Sequence, residues 1–285
     1  MSGDGYAWRR MKSRIMFSLA GCCAAISVGF LLLILGYLFV NGISSVNGAF
    51  LTRLPAPVGE TGGGIANAIL GSVKVVGLAA LMGVPVGILG GIYLAEFGTG
   101  TWAGFSIRYA ADILNGLPSI VIGIFAYVLV VLPMRKFSAF SGAVALAVIL
   151  IPIVLRTTEE FIRLVPDSVR EAALALGIPR WKTILRVVLP AAAKGILTGV
   201  ILSVSRVAGE TAPLLFTAFG NQFWDRGLFE PIATLPLAIF TYAISPYDEW
   251  HRMAWAAAFI LILVVMMSNV IARAIMGLGR ARGAH

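Results

Sequence analysis

Three charged residues stand inside long apolar runs of the sequence, where charge is costly. Lys74 interrupts one run, and Arg206 and Glu210 interrupt another. An arginine at the centre of a bilayer costs about 2.5 to 3.5 kcal/mol on insertion scales. Because Arg206 and Glu210 are four residues apart, they would share one face of a helix and can form an ion pair. Charges in such positions predict either a structural pair or a path for a charged solute.

These charges allow two interpretations. In the structural one, Arg206 and Glu210 only fasten two spans together. In the functional one, the planar guanidinium of Arg206 presents a fork of donors to an anion that crosses the membrane, and Glu210 keeps the anion from binding too tightly. Pro213 would free backbone groups just beyond the pair and mark a gate. Lys74 is a second candidate for the path, although a lysine near the end of a span can also extend its amine to the membrane surface.

The residue patterns of common catalytic sites are missing from the sequence. It has no zinc-protease helix motif, nucleophile elbow or kinase-type loop, and its two histidines are His251 and His285. Cys22 and Cys23 are adjacent, which excludes a disulfide framework and leaves a metal site without partners. Gly62–Gly64 is not followed by Gly-Lys-Ser or Gly-Lys-Thr, so it is not a nucleotide-binding loop. We therefore expect no catalytic residue, metal or cofactor in this chain.

The elements that must hold the charges are long and apolar. The composition is 59% hydrophobic and 12% charged, with a mean hydropathy of +0.92, which indicates an integral membrane protein. The net charge of +9 comes mainly from Lys and Arg residues between and beside the apolar runs. This placement favours membrane lipid, and not nucleic acid, as the partner of the basic residues.

Six runs are long enough to cross a bilayer, for which about 20 apolar residues are needed. They are Ile15–Val40, Ile65–Leu94, Phe105–Leu132, Phe140–Ile162, Ala191–Phe216 and Met253–Met276. The predicted fold class is therefore all-α, a polytopic protein with six transmembrane helices. Within the second run, Gly83, Gly87 and Gly91 form one smooth face for close helix packing, and Pro85 suggests a kink.

Orientation follows from the basic residues, which prefer the cytoplasmic side of a membrane. Most of them share one side if both termini are cytoplasmic, although Met134–Lys136 goes against the rule. We expect a cytoplasmic tail over residues 1–14, a transmembrane domain over 15–279 and a second tail over 280–285. An external loop is expected over about 217–252, with a short interfacial helix around Ile232–Tyr242.

One basic segment stands apart from the apolar runs, Glu171–Pro190, "EAALALGIPRWKTILRVVLP". Ser168 with Glu171 makes a capping box, and Gly177 followed by Pro179 predicts a helix, a sharp glycine turn and a second helix that re-enters the membrane. Ala172, Ala173 and Leu176 would form a small apolar face that fits a groove of another protein. The alternative is an amphipathic loop on the membrane surface, which the basic residues Arg180, Lys182 and Arg186 favour.

The spacing of this segment resembles the signature of permease subunits of ABC importers, E-A-A-x(3)-G-x(9)-I-x-L-P. Glu171, Ala172, Ala173, Gly177, Leu189 and Pro190 match it, and Val187 replaces the usual isoleucine. The resemblance implies that residues 166–190, here called the coupling segment, dock into a cleft of a separate ATPase subunit. ATP and its Mg²⁺ would be bound by that partner.

Longer stretches narrow the resemblance to the phosphate-import permease family PstA. They are Arg206–Trp224, "RVAGETAPLLFTAFGNQFW", Asn115–Tyr127, "NGLPSIVIGIFAY", which contains Pro118 as a possible kink or gate, and Gly91–Phe97, "GIYLAEF". The resemblance implies a bacterial inner-membrane complex of this chain with a PstC-like permease, two PstB-like ATPase subunits and a PstS-like phosphate-binding protein. The imported solute would be inorganic phosphate.

Two alternatives remain open at this point. The chain could be a permease for another oxyanion such as molybdate, sulfate or phosphonate. It could also be a membrane scaffold or sensor whose basic loop recruits a cytoplasmic regulator. ATP-dependent uptake separates a transport subunit from a scaffold, which binds partners without moving solute.

Overall fold

The protein is built from helices, and the computed structural model describes residues 3–57, 60 and 62–280. The helices are α1 Gly3–Ile43, α2 Gly48–Thr52, α3 Ala66–Glu96, α4 Trp102–Gly116, α5 Ser119–Ala126, α6 Leu132–Met134, α7 Ala139–Arg163, α8 Asp167–Ala175, α9 Arg180–Thr183, α10 Leu189–Val207, α11 Ala212–Thr217, α12 Leu235–Ala243 and α13 Asp248–Arg280. Two π-helical segments, Tyr127–Val131 and Ile184–Val188, join α5 to α6 and α9 to α10. The described residues contain no strand, only one isolated bridge between Phe219 and Ile232.

Four of the predicted spans are single long helices. The first, second, fourth and sixth correspond to α1, α3, α7 and α13, and all four have the length and hydropathy of a membrane-crossing helix. The described residues of the expected first tail are helical, since α1 begins at Gly3 and continues into the first span. The expected tail over 280–285 lies outside the described residues except for Arg280. The short helix predicted around Ile232–Tyr242 is present as α12.

The third span is broken, so the prediction of a continuous helix was wrong there. A bend of 105° separates α4 from the run Ser119–Met134. It lies at Pro118, and a proline disfavours helical backbone at the residue before it; Leu117 accordingly has ψ 138. The fifth span is present as a continuous helix of membrane-crossing length over Arg180–Val207, which begins and ends earlier than predicted. α11 begins only at Ala212.

Both π-helical segments end two residues before a proline, Pro133 in one case and Pro190 in the other. A proline lacks the N–H for the usual helical bond, and its ring clashes with the carbonyl four residues earlier. The helical turn holds one extra residue at this point. The N–H of Leu132 therefore bonds to the Tyr127 oxygen, and that of Leu189 bonds to the Ile184 oxygen. Pro190 therefore accounts for the π-helical turn from which α10 begins.

The core of the fold is the contact between α3 and α7. Val75, Leu146, Leu150 and Val154 are buried there. The predicted glycine face of α3 is confirmed as a packing surface, since a Cβ at Gly87 would lie 2.7 Å from the Val154 Cβ. α3 is unbroken through Pro85. The two helices are therefore close enough to move as one body.

A substitution in this contact tests its tightness. Gly91→Ala should destabilise the protein by about 1 to 3 kcal/mol, because its Cβ would lie 2.6 Å from the Thr158 Cβ and 2.7 Å from the Leu155 oxygen. Gly77→Ala on the same helix is the matched control, since nothing lies within 4 Å of a Cβ there. Thermal unfolding of the purified protein in detergent is the measurement. Equal melting temperatures for the two variants would contradict the packing argument.

Candidate functional site

Arg206 and Glu210 lie on either side of a helix end. Arg206 is in the last turn of α10, and Glu210 follows the helix, which ends at Val207. The Gly209 N–H bonds to the Arg206 oxygen and the Glu210 N–H to the Val207 oxygen. Each bond spans three residues, so the chain leaves the α-helix through a tighter turn. The expected pairing across one helical turn was therefore wrong, and neither residue belongs to an ion pair in the described part of the chain.

The exposed side chain of Arg206 lines a cavity of about 350 Å³ between α7 and α10. The other lining residues are Ile153, Thr157, Phe161, Thr198, Gly199, Leu202 and Ser203. The hydroxyls of Thr157, Thr198 and Ser203 donate to carbonyls of their own helices at 2.7 to 2.8 Å. The guanidinium is thus the charged donor of a groove with mainly apolar walls, where it can attract an anion.

The second half of the bent third span, α5, packs against α11. Gly123 of α5 meets Pro213 of α11 so closely that a Cβ on the glycine would lie 2.7 Å from the proline Cα. Pro213 is buried and stands in the first turn of α11, where its missing N–H costs nothing. Pro118 and Pro213 therefore lie on two segments in contact, Pro118 at the bend of the third span and Pro213 in the helix that follows the fifth.

Lys74 has a partner that the sequence did not reveal. Its amine lies 2.5 Å from Oδ2 of Asp225, whose side chain is 6% exposed against 44% for the lysine. Asp225 is 151 residues away in the chain, so no local pattern predicts the pair. The amide of Asn67 also donates to the Asn221 oxygen at 2.7 Å. Lys74 therefore helps to hold the loop over residues 217–252 on α3.

The coupling segment contains the predicted glycine turn. α8 ends at Ala175, and Gly177 has φ 76, in the left-handed region. The N–H of Gly177 bonds to the Leu174 oxygen, and that of Ile178 to the Ala173 oxygen. These two bonds define a Schellman motif, which satisfies carbonyls at the end of α8. The second helix is short, since α9 passes into the π-helical segment after Thr183.

Two details of this segment differ from the prediction. The N-cap is Pro166 and not Ser168, so the expected capping box is absent; Pro166 fixes its own φ and the helix begins directly after it. Ala173 is buried against the fold, so it is not part of the outward face. That face instead presents Glu171, Ala172 and Leu176, the last of which is 80% exposed. Within the closing "LP", Leu189 is half-buried and Pro190 exposed.

Ion pairs lie at this end of the fold, some within α7 and some between distant segments, and none of them was predicted from the sequence. Glu159, with 3% side-chain exposure, receives Arg108 at 2.7 Å, Arg156 at 3.1 Å and Arg163 at 2.8 Å. Glu96 receives Arg170 of α8 at 3.0 Å. A carboxylate at the end of an apolar helix is the one signal that could have indicated such partners.

Comparison with known proteins identifies the family. Residues 87–279 match the family model described as "Binding-protein-dependent transport system inner membrane component". The chain belongs to this family. It is 46% identical over 269 residues to the "Phosphate transport system permease protein PstA" of Yersinia pestis, covering 94% of this chain and 91% of that one. The protein of the same name from Haemophilus influenzae is 44% identical, covering 94% and 95%.

Solved structures agree on the fold. A chain of the MetNI methionine ABC transporter in an inward-facing conformation superposes with a TM-score of 0.61 at 16% identity, covering 74% of this chain and 95% of that one. A chain of a bacterial alginate ABC transporter gives 0.59 at 13% identity, covering 94% and 97%. The family membership and these folds make the protein a multi-pass inner-membrane transport component, which is not itself an enzyme.

The left-handed turn can be tested by substitution at Gly177. Any side chain costs about 1 to 2 kcal/mol in this conformation, a β-branched one costs more, and asparagine tolerates it best. Because no atom lies within 4 Å of a Cβ there, the backbone alone sets the order, and we expect Gly177→Val to be worse than Gly177→Ala and Gly177→Asn to be mildest. The rate of tryptic cleavage at Arg180 and Lys182 measures opening of the turn. An equal rate for all three variants would show that the conformation is not required.

Proposed function

We propose that this chain is the transmembrane permease subunit of an ATP-driven phosphate importer and forms half of the translocation path. The observation that carries the proposal is the identity of 42–48% to several phosphate transport system permease proteins over 84–96% of the chain. A cationic side chain in an apolar groove at a helix end is compatible with an anionic solute. The chain has no nucleotide site in this proposal.

The proposed complex contains this chain, a PstC-like permease, two PstB-like ATPase subunits and a PstS-like phosphate-binding protein. The ATPase subunits bind ATP and Mg²⁺, and one of them receives the coupling segment. The exposed residues Glu171, Ala172 and Leu176, together with the turn at Gly177, form the proposed contact. Both termini are then cytoplasmic, and the external loop lies on the opposite side of the membrane.

Arg206 is the proposed contact for phosphate in the path. Its guanidinium offers several donors to phosphate oxygens, and Glu210, just beyond the helix, limits how strongly the anion is held. Pro213 and Pro118 stand beside the contact between α11 and α5 and are the proposed gate. Lys74, whose charge Asp225 neutralises, is assigned to the external loop and not to phosphate contact.

The proposal is tested by reconstituting the complex in vesicles, with ATP supplied on the side of the membrane that carries the ATPase subunits. Uptake of labelled phosphate that requires both ATP and the binding protein supports it. Uptake of molybdate, sulfate or a phosphonate in place of phosphate would show a permease of another specificity. Binding of the partners without uptake of any of these anions would indicate a scaffold.

Variants of Arg206 separate a path residue from a structural one. Arg206→Gln should reduce uptake at least about tenfold without changing assembly or ATP hydrolysis, because the donors to the anion are lost. Arg206→Lys should be intermediate, since it keeps the charge but loses the planar fork. Glu210→Gln should leave assembly intact and slow phosphate release. Full uptake by an assembled Arg206→Gln complex would remove Arg206 from the path.

A further inference from the structure

Two arginines on either side of the Gly177 turn hold one residue of α3. Arg170 of α8 donates from Nε and Nη2 to Oε1 of Glu96, at 3.1 and 3.0 Å. Arg180, at the start of α9, donates to the main-chain oxygen of Glu96 and lies 4.8 Å from the ring centroid of Phe97. Both arms of the coupling segment therefore meet at the last residue of α3.

The guanidinium of Arg170 also binds the end of α7. Its Nη2 donates to the Ile162 oxygen at 2.9 Å, and its Nη1 donates to the Val165 oxygen. Carbonyls at the end of a helix lack helical donors, and Arg170 supplies donors there; the Ile162 oxygen also accepts the Val165 N–H at 3.2 Å. One side chain thus joins α8 to the adjacent ends of α3 and α7.

Glu96 is placed where a carboxylate is intrinsically unfavourable. Its side chain is 6% exposed, and it stands at the C-terminus of α3, where the helix dipole repels negative charge. Burial also removes hydration from the carboxylate, and only a close cationic partner can offset that loss. A neutral residue would pack there without either penalty. The charge therefore indicates that a directional contact to Arg170 matters at this position.

The other end of α3 holds the external loop. Lys74 pairs with Asp225, and the hydroxyl of Ser72 accepts the Leu235 N–H at 2.7 Å. α3 is one unbroken helix of 31 residues, which carries these contacts near its beginning and Glu96 as its last residue. A displacement of its coupling end must therefore reach the loop at the opposite end.

We propose that Glu96 is a positioning residue that transmits movement of the coupling segment to α3, and through α3 to the external loop. The proposal rests on the function proposed above, since it requires an ATPase subunit that moves the coupling segment. Glu96 contacts neither solute nor nucleotide. Its role is to keep α8, α9 and the end of α3 in one rigid unit during the transport cycle.

The first test measures the number of phosphate ions moved per ATP hydrolysed by the reconstituted complex. Glu96→Gln and Arg170→Gln should each lower this ratio about tenfold while ATP hydrolysis continues, because the ion pair is lost. The exchange variant Glu96→Arg with Arg170→Glu should recover part of the ratio. Asp112→Asn is the matched control, since Asp112 also pairs with an arginine, Arg156, at 3.0 Å, but is 53% exposed and lies outside the coupling segment. An unchanged ratio in assembled Glu96→Gln would overturn the proposal.

The second test does not depend on the solute. With Cys22 and Cys23 replaced by alanine, a fluorophore on Val73→Cys reports from the opposite end of α3, where Val73 is 66% exposed. ATP should change its emission in the parent complex and not in Glu96→Gln. The same ATP response in both, or none in the parent, would overturn the proposal. A response in a parent complex that moves no phosphate would instead overturn the proposed solute.

Glu96→Asp decides the matter if Glu96→Gln assembles poorly. It keeps the buried charge, but shortens the side chain by one methylene and withdraws the carboxylate from Arg170. We expect an assembled complex with a lowered ratio and a weakened response at Val73→Cys. A parental ratio and a parental response together would overturn the role of the contact.

Discussion

The cost of removing an ionised group from water is the constraint on which the rest of this structure depends. Long apolar helices leave few places where a charge can be hydrated or paired, and the buried carboxylates are all found at helix ends or in a loop. Glu159, Glu96 and Asp225 each receive a cation from a segment far away in the chain. Because a buried charge without a partner is strongly unfavourable, each pair fixes the relative position of the helices that it joins.

The middle of the helices is held by a different interaction. Between α3 and α7, glycines let the backbones approach until side chains of one helix touch the surface of the other. No charge takes part in this contact, so its strength depends on shape alone. Arg206 differs from both groups: it is charged, exposed to a groove and without a carboxylate partner in the described chain. The fold thus neutralises its structural charges and leaves this guanidinium available.

Local patterns in the sequence were sufficient for the features that depend on neighbouring residues. Run length predicted α1, α3, α7 and α13, and Gly177 with Pro179 predicted the turn. The end of the helix at Val207 was missed although Gly209 and Pro213 signal it, because the apolar run continues on both sides. The pairs Lys74–Asp225 and Glu96–Arg170 join residues 151 and 74 positions apart. Their geometry depends on how helices are rotated against each other, which no local spacing specifies.

The Gly177 turn is the point from which two mechanical connections diverge. One is covalent and runs through α9 and the π-helical segment into α10, which ends in the turn that carries Arg206. The other is non-covalent and runs through Arg170 and Glu96 into α3, which contacts the loop over residues 217–252. A displacement of the turn would therefore act at two places: at the end of α10 beside Arg206 and at the opposite end of the fold. A path that opens alternately to the two sides needs such linked changes, because one gate must close before the other opens.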